Sequence, residues 1–213
     1  MINNKKNCLL EIINILKKHF GKLKCALTFS NSFELLVAVI LSAQCTDERV
    51  NKITKDLFNK YKTIDDYAEA DISEFEQDIK SAGFFRNKAK NIIAAANLIR
   101  DFYDGNVPNS MQELIKLPGV ARKTANVVLG SAYGKAEGIA VDTHVIRITN
   151  LLKLTKSIEP VKIEKTLIEI VPKKYWIDFS FYIQNLGRTI CKARKPNHKV
   201  CPLNKICPSA HID

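Results

Sequence analysis

Apolar residues in this chain recur three and four places apart, a spacing that commits most of its length to amphipathic helices. The stripes Ile12, Ile15 and Leu16, then Val50, Ile53, Leu57 and Tyr61, then Ile92, Ala95, Ala96 and Ile99 each fall on one helical face. No run alternates apolar and polar residues convincingly, as a half-buried strand would. Helix boundaries are marked as well. Ser73 with Glu76 and Ser110 with Glu113 have the spacing of a capping box, and Gly105 and Gly134 follow helical runs where a left-handed C-cap is expected. An all-α protein is predicted. Its 213 residues suit one large domain or two small lobes, and no repeat or low-complexity linker separates them.

Charge narrows the choice of partner. Lys and Arg number 33 against 22 Asp and Glu, a net +11 with a pI near 9.3. Such a balance favours a polyanion, either nucleic acid or a membrane surface. Between Ser180 and Ile212 there is no acidic residue, while Arg188, Lys192, Arg194, Lys195, Lys199 and Lys205 are all basic. A basic tail often serves only as a solvated end, but here the charge surrounds potential metal ligands, which suits a phosphate-facing surface. The longest apolar stretch, Phe33 to Ser42, contains Glu34 and is too short to span a bilayer. No secretory or membrane segment is expected. A reducing cytosol, close to the nucleoid, is the expected setting, and there clustered cysteines favour a metal over disulfides.

Three stretches carry chemistry. The first is Leu117-Pro118-Gly119-Val120-Ala121-Arg122-Lys123-Thr124-Ala125-Asn126, between helical patterns at Ser110–Leu117 and about Arg122–Ala132. A Pro-Gly turn joining two short helices leaves unpaired N–H groups at the start of the second helix. Those donors and the positive helix end suit a phosphate oxygen without reading sequence. An ordinary tight turn would look the same. Lys123 falls in the first turn of the second helix. An amine is a nucleophile only while unprotonated, a state favoured by a helix N-terminus, by a neighbouring cation such as Arg122 and by partial desolvation. A plain phosphate contact is the other role open to it.

The second stretch, Ile139-Ala140-Val141-Asp142-Thr143-His144-Val145, puts Asp142 between an apolar run and a helical pattern. It is expected to be an N-cap, and a carboxylate so placed is also able to accept a proton or stabilise a developing cation. The third is Cys191-x6-His198-x2-Cys201-x5-Cys207. Three cysteines and a histidine are able to close a tetrahedral zinc site or to hold an iron–sulfur cluster. Cys8, Cys25 and Cys45 have no such spacing and are expected to be small buried hydrophobes.

Together these segments resemble the endonuclease III family of DNA base-excision glycosylases. The motifs stand in family order: LSAQCTD (Leu41–Asp47), LPGVARKTANVV (Leu117–Val128), AVDTHV (Ala140–Val145) and the cysteine tail. The resemblance implies two helical lobes around a DNA-binding cleft. One would be a six-helix lobe with a helix-hairpin-helix over 25–134, the other a cluster lobe made from 1–24 and 135–213. It implies a double-stranded DNA partner carrying a damaged pyrimidine or an abasic site, and flipping of the damaged base. Lys123 would attack the sugar C1′ and form a Schiff base, β-elimination would cut the strand, and Asp142 would assist. Gly119, Val120, Ala121 and Arg122 would hold phosphate, and Thr143 and His144 would line the cleft. Gln44 would plug the base-pair gap and Phe84 would wedge into the duplex, although Phe84-Phe85 equally resembles a buried helix-end pair. Arg194, Lys195 and Lys199 would face DNA from the metal loop.

The sequence departs from the family in two places. Ala121 stands where the hairpin usually has a second glycine, a change that matters only if the position needs positive φ. His198 stands where the family has the second cysteine of its [4Fe–4S] set, so a cluster on Cys191, His198, Cys201 and Cys207 is expected, with zinc or an incomplete cluster as the alternative. Two other functions remain open. A monofunctional adenine-type glycosylase would lack a lysine at position 123 and would carry a further C-terminal recognition domain, whereas this sequence ends at Asp213. A non-catalytic helix-hairpin-helix DNA-binding module would need neither Lys123 nor Asp142. A monomer is expected, since no oligomerisation stripe is evident.

Overall fold

In the computed structural model, which describes residues 2–211 with side chains from Lys6 onward, every regular element among the described residues is a helix. The order is α1 (Ile2–Phe20), α2 (Ser32–Leu41), α3 (Asp47–Lys60), α4 (Ile64–Ala68), α5 (Ile72–Asp78), α6 (Phe85–Phe102), α7 (Met111–Leu114), α8 (Arg122–Tyr133), α9 (Thr143–Leu151), α10 (Pro160–Ile170) and α11 (Trp176–Thr189). The chain divides into two compact units: Cys25–Glu137, and the N-terminal residues through Lys24 together with the stretch from Gly138 onward.

The unit of Cys25–Glu137 is built around α2. Eight of its residues, from Phe33 to Leu41 with the exception of Glu34, are buried, which is the behaviour of a helix apolar on all sides. Helices α3, α6 and α8 pack on it, and α4 and α5 pack on α6. Val50, Ile53 and Leu57 of α3, with Tyr61 just after it, and Ile92, Ala95, Ala96 and Ile99 of α6 are all buried, so both stripes face this core. The chain after α8 stays attached to the same unit. Glu137 Oε2 accepts from the Met111 N–H at 3.0 Å and Lys135 donates to the Asn109 carbonyl at 3.0 Å.

The other unit packs α11 against α9 and α1, and α1 against α10. Its core includes Ile12, Leu16, Ile148, Leu167, Phe179 and Ile183. Tyr182 Oη donates to the Gly21 carbonyl at 3.1 Å, fastening the end of α1 to α11.

Most helix starts follow the local signals. Ser110 caps α7 by accepting from the Glu113 N–H at 3.3 Å, and Gly134 closes α8 at φ 63°. The Ser73 cap is a correction. Helix α5 begins earlier, with Asp71 accepting from the Glu74 N–H at 2.9 Å. Asp71 and Glu74 have the same spacing as Ser73 and Glu76, and a carboxylate at the positive helix end wins over a hydroxyl. The three outlying cysteines also differ from expectation. Cys8 is exposed on α1, and Cys25 and Cys45, in the connections before and after α2, are only half-buried.

Candidate active site and metal loop

The hairpin joins α7 to α8 through Ile115–Ala121. Gly119 has φ +76°, and a Cβ there would stand 3.0 Å from Cβ of Asn91 on α6. Both the backbone and the neighbour therefore demand glycine. Ala121 sits at φ −89° as the N-cap of α8 and makes no side-chain cap. Positive φ is not needed at Ala121, so the missing second glycine costs the turn nothing. The start of α8 keeps its positive end uncapped by a side chain, as an anion site requires. Gly119→Ala is expected to destabilise the protein by about 1–3 kcal/mol, whereas Ala121→Gly should leave the melting temperature nearly unchanged. Thermal unfolding of both variants checks this.

Lys123 stands in the first turn of α8 and is exposed, as is Ala121; Val120 beneath them is buried. The free protein thus does not supply the partial desolvation expected for Lys123. Water would have to be excluded by whatever binds over it. Asp142 is the N-cap of α9, its carboxylate accepting from the Val145 N–H at 2.9 Å. Lys123 belongs to the unit of Cys25–Glu137 and Asp142 to the other.

Gln44 and Phe84 share an unusual backbone. Both are non-glycine residues at positive φ, 54° and 49°, a conformation that carries strain and gathers at functional sites. Gln44 lies exposed in the turn between α2 and α3. Phe84 follows Gly83 (φ +70°), opens α6 in the left-handed conformation and is 65% exposed. Phe85, by contrast, is half-buried against the core. A buried helix-end pair is therefore not what these two rings form.

In the other unit, a recess of about 460 Å³ is lined by Thr143, His144, Arg147, Arg188 and Lys192 among others. His144 fits because Gly187 on α11 leaves room for it. A Cβ at Gly187 would lie 2.5 Å from His144 Nδ1. Arg147 reaches both ways, with Nη2 3.4 Å from His144 Nδ1 and Nη1 donating to Cys191 Sγ at 3.6 Å. Neither Gly187 nor Arg147 was predicted from sequence. The contacts of Gly187 with His144 and of Arg147 with Cys191 join residues more than forty positions apart.

Cys191, Cys201 and Cys207 are half-buried and pack against the core of this unit. Burial pushes the Cys201 thiol up, and Cys191 and Cys207 beside it add to the effect, against a lowering hydrogen bond from the backbone at Leu203. Among the described residues no three His, Cys, Asp or Glu side chains are gathered closely enough to hold a metal ion. His198 Nδ1 is turned to the backbone of His211, 2.9 Å from its N and 3.1 Å from its carbonyl O. The His211 N–H donates to Nδ1, which places the imidazole hydrogen on Nε2; ligation of a metal through Nε2 would require the other tautomer, with Nδ1 donating to the His211 carbonyl. By donor chemistry alone, three thiols and one imidazole suit an iron–sulfur cluster as they suit zinc. Arg194, Lys195 and Lys199 lie exposed on the intervening loop, Lys195 at φ 55°.

A helix-hairpin-helix, an uncapped α8 and a lysine in its first turn define a class. The profile described as "HhH-GPD superfamily base excision DNA repair protein" matches residues 37–173. Among characterised relatives, the endonuclease III of Synechocystis sp. is 50% identical over 97% of this chain and 94% of its own length. Two solved structures, a non-covalent endonuclease III–DNA complex and a trapped endonuclease III–DNA covalent intermediate, each superpose with a TM-score of 0.91. Each is 45% identical to this chain and covers 96% of both chains. The chain belongs to the endonuclease III family of that superfamily. No described helix is long and apolar enough to cross a membrane.

Proposed function

We propose that this protein is a base-excision repair enzyme that removes oxidised pyrimidines from double-stranded DNA and cleaves the resulting abasic site. The observation that carries the reading is Lys123 in the first turn of the uncapped α8, just after the Gly119 turn, in a chain 45% identical to one trapped covalently on DNA. N–H groups of Gly119, Ala121 and Arg122 hold phosphate beside the target nucleotide, whereas the Val120 N–H, expected to join them, donates to the Leu117 carbonyl at 3.1 Å and closes the turn. The damaged base leaves the stack, at least cost where the lesion has already weakened its pairing. The Lys123 amine attacks C1′ and loses a proton as the base departs with the glycosidic electron pair; the C1′–O4′ bond of the resulting aminal then breaks, O4′ takes up a proton, and the ring-opened iminium is the Schiff base. Loss of a proton from C2′ then breaks the 3′ C–O bond. Asp142 takes up the proton released by the lysine or offsets the positive charge growing on the sugar. Thr143 and His144 border the reacting nucleotide. Gln44 fills the gap in the duplex and Phe84 wedges beside it. With DNA over it, Lys123 gains the desolvation that the free protein lacks.

Cys191, His198, Cys201 and Cys207 would hold a [4Fe–4S] cluster, which would supply a structural and redox-active group and fasten the loop that carries Arg194, Lys195 and Lys199 toward DNA phosphates. Imidazole in place of thiolate leaves it one unit more positive, so its potential is expected to lie above that of His198→Cys. Protein purified without oxygen should carry iron and acid-labile sulfide, and less of both in His198→Ala. Zinc alone in the wild type would contradict the assignment.

Release of free base and nicking of a duplex that carries one oxidised thymine, beside an undamaged control, test the activity. Damage-dependent release with a 3′ nick is expected. Binding without release would favour the DNA-binding module, and release of undamaged adenine opposite a lesion the monofunctional glycosylase.

A further inference from the structure

Helix α6 contains a buried lysine that the proposed chemistry does not use. Lys88 is 5% exposed, and its Nζ donates to the carbonyl oxygens of Leu41 and Ala82, each at 2.9 Å. Burial holds this ammonium below the ordinary lysine range, with Cys45 nearby opposing the shift. Burying a cation is costly unless its partners are well placed. Both partners are carbonyls at the ends of helical segments, where the intrahelical ladder leaves acceptors over.

What Lys88 joins is informative. Leu41 ends α2 and lies three residues before Gln44; Ala82 ends the 3-10 turn Lys80–Ala82 and lies two residues before Phe84. Gln44 and Phe84 both adopt positive φ, and such strain persists only where the surroundings over-determine it. One turn further along α6, Asn91 meets Gly119 of the hairpin. The first two turns of α6 therefore touch all three segments of this unit to which a DNA contact is assigned above.

We infer that Lys88 is a positioning residue for base extrusion: its two hydrogen bonds fix the turn bearing Gln44 and the turn bearing Phe84 in one mutual register. The inference rests on the proposed insertion of Gln44 and Phe84 into the duplex. Without the amine the two carbonyls lose their shared donor, the strained turns relax separately, and the paired insertion loses its preorganisation.

The test uses Lys88→Met, which keeps much of the side-chain volume and removes the donors, together with Phe84→Ala and the double variant. 2-Aminopurine opposite the lesion reports unstacking. Its fluorescence is read at saturating enzyme, so that loss of folded fraction or affinity does not enter. Phe84→Ala and Lys88→Met should each lower the excision rate about tenfold and reduce the fluorescence change, and the double variant should fall no further than Phe84→Ala alone. Lys88→Gln, which keeps an N–H2 donor, should retain part of the signal and carries the test if the methionine variant does not fold. A wild-type signal in the folded Lys88 variants, beside a lowered one in Phe84→Ala, would overturn the inference, as would fully additive effects. A wild-type signal in Phe84→Ala would instead overturn the insertion reading itself.

Discussion

Asp142→Asn is expected to lose about 10²–10⁴-fold in base excision, the range for removing a positioned acid–base group, while its melting temperature stays close to that of the wild type. The separation is possible because Asp142 has two tasks. As N-cap of α9 it accepts the Val145 N–H at 2.9 Å, and asparagine caps a helix as well as aspartate does. As a carboxylate it carries the charge and basicity proposed for the reaction, which an amide cannot supply. Asp142→Ala should lose both, with a further cost of about 1 kcal/mol from the vacated cap. Single-turnover base release and thermal unfolding of the two variants distinguish the tasks. If Asp142→Asn kept full activity, only the cap would matter.

The second large effect is expected at Lys123. Replacing it with alanine should lower cleavage of abasic-site DNA by about 10³-fold or more, as removal of a covalent nucleophile does. Folding should be spared, because Lys123 is exposed and lies on the first turn of α8. DNA affinity at moderate salt should fall only slightly, since one phosphate-facing charge among several is lost. A variant that lost affinity and cleavage in equal proportion would mark Lys123 as a phosphate contact instead. Combining it with Asp142→Asn should add little, because groups that serve one step are not independent.

How far these assignments could be read from sequence depends on the distance over which each is decided. Helices were legible wherever a stripe and its cap lie within one segment, as with Ser110 before α7 and Gly134 after α8. The start of α5 was misread because two cap signals with equal spacing overlap, and the carboxylate of Asp71 takes the helix end ahead of the Ser73 hydroxyl. Phe84 and Phe85 were indistinguishable as letters. The left-handed turn after Gly83 decides which ring is exposed. Ala121 was ambiguous until its φ was known. Lys88 reads as an ordinary polar residue on α6, and its meaning lies in a carbonyl 47 positions away. The cysteine spacing is legible as that of a metal-ligand set, whereas the contact of His198 with the backbone of His211 comes from tertiary packing.

Borohydride reduction of the enzyme mixed with abasic-site duplex, followed by peptide mapping of the adduct, bears most directly on the central claim. Covalent DNA on Lys123, absent from Lys123→Ala, is the predicted result. No trapped species in the wild type, or equal trapping of Lys123→Ala, would contradict a lyase that works through this lysine.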